Sequence, residues 1–414
     1  MLFCMKRGVA TFTLDTGKCP PWLFKRMVDL GREMTRVLVE EYGPSEFVKR
    51  IADPVWFQSL GTVLAFDWNA SGLTTILTAA LKEAIRGQEK ELGVFICGGK
   101  GKTSRKTPDE ISDWGNRLNL DSKKVKSLSY SSKMAAKVDS SLIQDGYQIY
   151  HHAFFFSVKK SPGSADVIDS WAVVQQGMNT GNSTARRYHW FDDLTRSDLA
   201  NDLAKDFIDE PHSGIASQTF EKNVLNLVDK KSKGNRDLSQ ELVASGYSTL
   251  MKDIQLLRSH FSEYSQMISL EVPSGEDFRE GEQLTFLKLN DPHFTTHPVV
   301  HEDFTKSKYL DKILQRVTYE SPKDYEDLLA IEGVGPKTIR ALSLVGEVIY
   351  GADPSYEDPA RYSFAHGGKD AIPYPVDRET YDTTINILQK AVGKTKIDPI
   401  AKDKALRRLE NQKS

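Results

Sequence analysis

The first clear pattern in the chain is a helical repeat of apolar residues near its start. Between residues 20 and 41, apolar side chains recur at intervals of three and four, and Gly43-Pro44 follows. This spacing places one apolar stripe along a helix, and glycine or proline commonly ends one. We therefore predict a helix over 20–41.

The next segment indicates strands on either side of a helix. The run 62–66 is short, apolar and rich in β-branched and aromatic residues, which predicts a buried strand. A turn at 69–72, a helix over 73–86 and a second strand over 92–97 follow. This order predicts a βαβ unit whose strand ends open into polar loops.

Four further elements are predicted in the first half. Thr107 and Glu110 have the spacing of a capping box, and Pro108 suits the first turn of a helix. A second helix is predicted over 133–143. Alternating and apolar runs predict strands over 147–158 and 171–176, with a loop at 161–165 between them.

The second half is predicted to be mainly helical. The patterns favour helices over 194–208, 220–230 and 238–267. The fold class that follows is an α/β or α+β N-terminal domain and a mainly α-helical C-terminal half. The predicted domains are a catalytic domain at 1–195, a helical domain with an irregular linker at 196–306, and a nucleic-acid-binding region with a basic tail at 307–414.

A glycine turn between two short helices predicts a helix-hairpin-helix in that last region. Ser321-Pro322 is typical of a helix start, Gly333-Val334-Gly335 reverses the chain, and Pro336 opens a second helix. Amide groups at such a helix start favour an anion. The predicted backbone contacts are Gly333, Gly335, Lys337 and Thr338. The alternative is a glycine turn between two helices that only pack together.

Composition narrows the classes of protein. No apolar run reaches the roughly 20 residues that cross a bilayer. Lys6 and Arg7 are not followed by an apolar stretch, so we do not expect a signal peptide. The three cysteines form no C-x-x-C pair, which disfavours an iron–sulfur cluster or a zinc knuckle. We expect a cytoplasmic protein that does not bind a membrane. The sequence does not decide whether it forms an oligomer.

Charge is distributed in blocks although the net charge is only −2. Residues 98–137 contain ten Lys or Arg against four Asp or Glu, and residues 394–414 contain seven against three. Residues 191–210 contain seven acids against two bases. Such blocks can steer a polyanion to one face, although each is also compatible with an ordinary solvated surface.

The first half contains candidates for phosphodiester hydrolysis. This reaction uses carboxylates that hold Mg²⁺ or Mn²⁺, cations that stabilise developing charge, and a group that moves a proton. The candidate ligands are Asp67, Asp139 and Asp145. The candidate cations and proton carriers are Lys137, Arg186, Arg187, His151 and His189. For each of them a purely structural role is the alternative.

A glycine-rich basic segment follows the second predicted strand. The sequence Gly98-Gly99-Lys100-Gly101-Lys102 lacks the Walker spacing, so it favours a phosphate contact over a nucleotide-binding loop. The predicted contacts here are Lys100, Lys102, Arg105 and Lys106.

Several motifs together resemble the domain of unknown function 763 family. They are DPVWFQ (53–58), FDWNASG (66–72), GGKGK (98–102), KVD (137–139), QDGY (144–147), HHAF (151–154), VQQGM (174–178) and ARRYHW (185–190). The resemblance spans most of the chain and implies a nucleic-acid role, with little more about function.

A narrower similarity concerns the glycine turn. In helix-hairpin-helix DNA glycosylases, a similar turn precedes a Val-Asp segment, and the resemblance implies a Schiff-base lysine at Lys337 and a catalytic aspartate at Asp377. Here the stretch between them is much longer than in that family.

Three functions stay open from the sequence. The leading hypothesis is a metal-dependent DNA nuclease that acts in DNA repair or processing. The second is a glycosylase or abasic-site lyase that uses Lys337 and Asp377. The third is a DNA- or RNA-binding adaptor without catalysis.

Overall fold

The structure is a computed structural model that describes residues 19–64, 70–160, 166–195, 205–218, 220–222, 224–268, 308–360, 362–363 and 378–413. Its helices are α1 (Pro21–Tyr42), α2 (Pro44–Ile51), α3 (Pro54–Val63), α4 (Ala70–Ala84), α5 (Glu89–Leu92), α6 (Thr107–Arg117), α7 (Ser122–Ser141), α8 (Lys233–Ala244), α9 (Tyr247–Ile268), α10 (Lys308–Glu320), α11 (Tyr325–Ala330), α12 (Pro336–Leu344), α13 (Arg378–Lys394) and α14 (Pro399–Lys413). Its strands are β1 (Val94–Lys100), β2 (Ile143–Gln144), β3 (Gln148–Lys159), β4 (Val167–Asn179), β5 (Thr184–Asp193), β6 (His212–Ser217), β7 (Leu225–Asn226) and β8 (Tyr362–Ser363).

Six of these strands form one mixed sheet in the order β1-β3-β4-β5-β6-β8. Every pairing in it is antiparallel except that of β6 with β8. The predicted βαβ unit is wrong, because the first of its two strands, 62–66, is absent from the described strands: Thr62 and Val63 belong to helix α3. Its second strand corresponds to β1, which pairs antiparallel with β3.

Two layers of helices cover the two faces of the sheet, because residues alternate sides along each strand. Ala153 and Phe155 of β3 pack with α1–α4 and also with α13 and α14, on what we call the first face. Phe154 and Phe156 pack with α6–α12, on what we call the second face. Each face thus has its own apolar core.

The predicted strand over 62–66 is wrong. Thr62 and Val63 end helix α3, and residues 65–69 lie outside the described part of the chain. The start of this helix is determined by Asp53, whose Oδ1 accepts hydrogen bonds from the amides of Val55 and Trp56 at 2.7 and 3.1 Å. Aspartate followed by proline is a helix-start signal, and it outweighs the β-branched run.

Helix α6 begins where predicted, but without the capping box. The Oγ1 of Thr107 donates to the carbonyl of Ser104 at 2.7 Å, and helix α6 has no side-chain cap. Glu110 instead accepts from the amide of Gly98 at 2.9 Å and from Lys82 at 2.6 Å. The carboxylate therefore joins α4, β1 and α6 rather than closing one helix end.

Three predictions in the second half need correction. Residues 220–230 contain β7 and turns rather than a helix, and 205–208, at the end of the predicted helix 194–208, are not helical. The single helix predicted over 238–267 is two helices, α8 and α9, with a break at Ser245-Gly246. Gly246 has a φ of +91°, which a helix cannot contain.

Other elements agree with the prediction. Helices α1, α4 and α7 and strands β1, β3 and β4 overlap their predicted ranges, and a turn connects two helices at 331–335. Helix α11 is capped by Asp324, whose Oδ1 accepts from the amide of Asp327 at 2.7 Å, and not by Ser321.

Helices thus occur in both halves of the chain beside one mixed sheet. The apolar core of the second face runs from Phe95 to Ala360 and crosses both predicted boundaries, so the division into domains stays a prediction. Among the described helices, none has the length and apolar character needed to cross a membrane.

Candidate functional site

Three pairs of adjacent polar residues lie on neighbouring strands of the sheet. The pairs are His151-His152 on β3, Gln175-Gln176 on β4 and Arg186-Arg187 on β5. Because successive side chains of a strand point to opposite faces, each pair divides between the two faces. All six side chains are buried.

On the first face these residues form a row across four strands. The register pairs Lys100 with His151, His151 with Gln176, and Gln176 with Arg187. We call these four residues the polar row. It begins at the exposed Lys100 on β1 and continues inward to the fully buried Arg187 on β5.

Helices α3 and α4 provide partners for the inner half of the row. The guanidinium of Arg187 donates to Gln58 Oε1 at 3.2 Å and to Thr74 Oγ1 at 3.3 Å. The amide of Gln176 donates to the carbonyl of Ser71 at 2.9 Å and to the hydroxyl of Tyr150 at 2.5 Å. Burial lowers the pKa of Arg187 to about 9.

Acceptors and donors without partners are concentrated at the middle of the row. Within the described residues, neither ring nitrogen of His151 has a hydrogen-bond partner, and neither does Oε1 of Gln176. Burial lowers the pKa of His151 to about 3, with a further contribution from His152 and Lys100. Because buried polar groups are normally hydrogen-bonded, a bound molecule is one explanation for this arrangement.

A short basic 3₁₀ segment follows the outer end of the row. It spans Gly101–Lys106 and carries Lys102, Arg105 and Lys106, all exposed like Lys100. We call Lys100 and this segment the basic turn. The ammonium group of Lys100 lies 5.7 Å from the centre of the Tyr150 ring. All four cations predicted here thus reach solvent at one end of the sheet.

Gly98 allows the basic turn to leave the sheet at this place. Its φ is +84°, and a Cβ atom there would lie 2.3 Å from the carbonyl oxygen of His152. A larger residue would therefore force β1 away from β3 just before the row begins.

The second face holds a polar network in which Asp139 is central. Its Oδ2 accepts from Gln175 Nε2 and, at 3.0 Å, from Trp190 Nε1, while its Oδ1 contacts His212 Nε2 at 2.5 Å. The Oε1 of Gln175 in turn contacts His152 Nδ1 at 2.9 Å. Protein groups thus already occupy both oxygens of this predicted metal ligand.

Asp145 belongs to a second network on the same face. It accepts from Arg186 at 2.9 Å, from the hydroxyl of Tyr188 at 2.6 Å and from the amide of Tyr147 at 3.0 Å. Arg186 also binds Asp358 at 2.6 Å. Burial raises the pKa of Asp145, while Arg186 opposes that rise.

The predicted ligands and proton carriers are therefore not assembled at one place. Asp139 and Asp145 lie on the second face, whereas His151, Arg187 and His189 lie on the first. The Nδ1 of His189 contacts the carbonyl of Ile51 at 3.1 Å. Within the described ranges, no three His, Cys, Asp or Glu side chains are arranged to hold a metal ion. Asp67 and Asp377 lie outside these ranges.

Lys137 contacts the turn between α11 and α12 instead of a carboxylate. Its ammonium group donates to the carbonyls of Leu329 and Ile331 at 2.5 and 2.6 Å. Burial lowers its pKa. This lysine thus attaches α7 to the last turn of α11, where helix carbonyls lack intrahelical partners.

The turn between α11 and α12 has one packed and one open glycine. Gly333 has a φ of +94°, and a Cβ atom there would lie 2.3 Å from Ile313. A Cβ at Gly335, the residue before α12, would meet no atom within 4 Å. Lys337 is exposed, Thr338 is buried and both glycines are partly exposed, so Lys337 is the most accessible of the four predicted contacts.

The start of α12 lies towards the same end of the sheet as the polar row. Gln144 Nε2 donates to the carbonyl of Pro336 at 3.0 Å, and Arg340 donates back to Gln144 Oε1 at 2.5 Å. Gln144 precedes β3 by only a few residues, and β3 carries His151. The start of α12, on the second face, and the basic turn, which follows Lys100 of β1, thus both lie towards the N-terminal end of β3.

A family comparison agrees with the motifs on these strands. The model of a family described as "Protein of unknown function (DUF763)" matches residues 8–376. The chain belongs to this family. Comparisons with curated proteins and with solved structures give no match. The family match covers β1–β8, and with them all of the polar row.

Sequence reasoning missed three residues of these sites. Tyr150 and Gln58 contact the row through Gln176 and Arg187, and His212 contacts Asp139 from β6. Only the bulge between Ile149 and His151 brings Tyr150 towards Gln176, and no local pattern predicts a bulge there. His212 and Asp139 are far apart in sequence, so spacing gives no signal for their contact.

Proposed function

We propose that the protein binds the phosphate backbone of DNA at the end of the sheet that carries the basic turn, and that it hydrolyses a phosphodiester at the polar row. The observation that carries the proposal is the row itself. Lys100, His151, Gln176 and Arg187 come from four strands and share one face. They combine cations with an imidazole, the groups that phosphodiester chemistry uses.

The surroundings of the row support an anionic substrate. Four cations of the basic turn reach solvent beside it. Within the described residues, none of the four has an ion-pair partner. Exposed Lys and Arg side chains provide most of the affinity for nucleic-acid backbone by displacing counterions.

The start of α12 provides a second backbone contact in the proposal. Its first amides have no intrahelical acceptor. Gly335 leaves open space in front of them, and Lys337 adds a positive charge. A phosphate group suits such a helix start. A substrate held there and at the basic turn would span one end of the molecule.

In the proposed reaction His151 transfers the proton. Its low pKa keeps the imidazole neutral and able to accept a proton at neutral pH. A phosphate anion placed beside it would raise that pKa towards the range in which general bases work. Lys100, at the exposed end of the row, would stabilise the charge that develops on the phosphate, while Arg187 holds the inner end of the row through Gln58 and Thr74.

The proposed reaction depends on a metal ion, and Asp67 is its candidate ligand. Asp139 and Asp145 accept hydrogen bonds from several protein groups. If Asp139 or Asp145 held Mg²⁺ or Mn²⁺, these hydrogen bonds would have to break. Asp67 is therefore the candidate ligand that we propose. Its candidacy comes from the sequence alone.

The test is a cleavage assay with labelled single-stranded, duplex and abasic-site DNA, in Mg²⁺, Mn²⁺ or EDTA. We expect metal-dependent cleavage that falls by about 10²- to 10⁴-fold in His151→Gln, the range of general acid–base catalysis. His152→Gln is the matched control, because His152 lies on the second face and outside the proposed site. Equal loss in both variants, with both folded, would contradict the assignment.

Binding is measured separately from cleavage. In Lys102→Glu with Arg105→Glu, the slope of log affinity against log salt should become shallower by about 0.9 for each phosphate that the protein no longer neutralises. Lys25→Glu with Arg26→Glu makes the same charge change on exposed residues of α1 and should leave the slope unchanged. Binding without cleavage in any condition would support the adaptor function instead.

The lyase alternative has its own result in this assay. Lys337 is exposed at the first turn of α12, so it is free to reach an abasic site. Scission of abasic DNA in EDTA, a covalent adduct after borohydride treatment, and loss of both in Lys337→Ala would place the chemistry at the turn. Metal-dependent cleavage unaffected by Lys337→Ala would exclude that alternative.

A further inference from the structure

A pocket separate from the polar row opens beside β6. It has a volume of about 440 Å³, and residues of β6, of the segment after β7 and of 357–359 line it. This volume is in the range of sites for small organic molecules. Within the described residues β6 pairs with β8 only at Ala216 and Ser217, so its earlier residues leave room for the pocket.

The wall of the pocket contains the imidazole of His212, whose orientation is fixed by a contact with Asp139. His212 lines the pocket, and its Nε2 contacts Oδ1 of Asp139 at 2.5 Å. Oδ2 of Asp139 is occupied by Gln175 and Trp190. Because an ionised carboxylate only accepts hydrogen bonds, Nε2 of His212 is the donor in this contact, and the contact holds the ring in one orientation at the pocket wall.

A buried acceptor at the wall lacks a partner. The Nδ2 of Asn226 donates to the carbonyl of Glu357 at 3.0 Å. Its Oδ1 has no hydrogen-bond partner within the described part of the chain, and the residue is only 4% exposed. Because buried polar atoms are normally hydrogen-bonded, this oxygen is an acceptor that a ligand donor would satisfy.

The charged side chains of the pocket are mostly carboxylates. The lining includes Glu210, Asp229, Glu357 and Asp358, with Lys231 as the lysine among them. Lys231 is paired with Glu357 at 2.6 Å, and Asp358 is paired with Arg186 at 2.6 Å. The wall is therefore rich in acceptors and disfavours an anion.

We propose that this pocket binds a small organic cation with several N–H donors, such as a guanidinium or primary ammonium compound. Asn226 Oδ1 and the carboxylate of Glu357 accept its hydrogen bonds, and the ring of His212 forms part of the wall beside them. The site is independent of the proposed nucleic-acid function, because its acidic lining repels phosphate. It gives the protein a second ligand, of opposite charge to the first.

Agmatine is the test probe, because it carries a guanidinium and a primary ammonium group. Calorimetric titration of the full-length protein should show binding of agmatine but not of 1,4-butanediol or inorganic phosphate. Glu357→Gln should weaken that binding roughly tenfold, the effect of losing one charge-assisted hydrogen bond.

The matched control is Glu320→Gln, which removes an ion-paired carboxylate on α10 outside the pocket. It should leave agmatine binding unchanged. Glu357 is exposed, so we expect Glu357→Gln to fold like the unmodified protein. The proposal is overturned if agmatine does not bind, if it binds Glu357→Gln as tightly as the unmodified protein, or if phosphate displaces it.

Discussion

The two faces of the sheet use the same pairs of residues in different ways. On the second face, His152, Gln175 and Arg186 all have hydrogen-bond partners, and Arg186 bridges two buried carboxylates. On the first face, their neighbours His151 and Gln176 retain ring nitrogens and an amide oxygen without partners among the described residues. Adjacent residues of β3 and of β4 thus differ in how fully their polar atoms are hydrogen-bonded.

This difference separates buried polar residues that hold the fold together from buried polar residues that are candidates for binding or catalysis. A satisfied buried network holds strands and helices in place, and removal of one member leaves the others unpaired. A buried group without a partner contributes no such bond, so it is kept for another reason or at a cost in stability. Substitutions on the second face should therefore reduce stability, whereas those on the first should mainly affect function.

The largest expected effect is at Arg186. Replacement by methionine leaves Asp145 and Asp358 buried without their cation, and we expect a loss of about 3–5 kcal/mol in the free energy of unfolding. Urea denaturation measures it. A loss below about 1 kcal/mol would contradict the view that this network supports the fold.

The next effect is a pH dependence from His151. Its pKa is about 3 in the folded state against 6.5 as the ordinary value, so below pH 6.5 the unfolded chain binds a proton that the folded chain does not. Stability should fall with decreasing pH by at most about 1.4 kcal/mol per pH unit from this group. The slope should end near pH 3.

His151→Leu is the variant that isolates this contribution. Because it removes buried nitrogens without partners, its stability at pH 7 should equal or exceed that of the unmodified protein. Its denaturation curves between pH 7 and 4 should shift less than those of the unmodified protein. Parallel shifts in both proteins would show that His151 is not the group that titrates.

A smaller effect is expected at Lys137, which belongs to the residues whose polar groups have hydrogen-bond partners. Lys137→Met leaves two carbonyls of the α11–α12 turn without their donor, and we expect a loss of about 1–3 kcal/mol. Thermal and urea unfolding measure the change. If DNA cleavage were abolished while stability stayed unchanged, Lys137 would return as a catalytic candidate.

The smallest stability effect is expected at Lys337. The side chain is exposed, and Lys337→Ala should change the free energy of unfolding by no more than about 0.5 kcal/mol. DNA affinity should nevertheless decrease, as fluorescence anisotropy would show. Unchanged affinity would remove the start of α12 from the proposed binding surface.

The sequence allowed the prediction of elements with strong local signals. The apolar stripe of α1, the runs of β3 and β4 and the glycine turn before α12 all appear close to their predicted places. It also allowed one inference about the site, since any predicted strand at 147–158 implies that His151 and His152 face opposite sides.

The sequence could not predict which strands that are distant along the chain pair with each other. The partner of β1 is β3, across two intervening helices. Strand β5 was not predicted because its polar residues Arg186, Arg187 and His189 are buried on both faces, which hides the usual alternation. Strand β6 was not predicted either. Asp139 has the residue type of a metal ligand, yet Trp190 and His212 occupy its oxygens from distant strands. Residue type suggests a chemistry, and only the tertiary neighbours show whether the group is available for it.

The packing of α13 and α14 has a consequence for the order of folding during synthesis. Ile385 and Leu388 complete the same core as Met27 and Leu60, and Arg408 donates to the carbonyl of Val63 at 2.9 Å. The core of the layer that covers the polar row is therefore complete only after the ribosome has translated through these helices. Until then the partners of Ile385 and Leu388 on α1 and α3 lack part of their apolar cover, and such transiently exposed apolar surface favours aggregation.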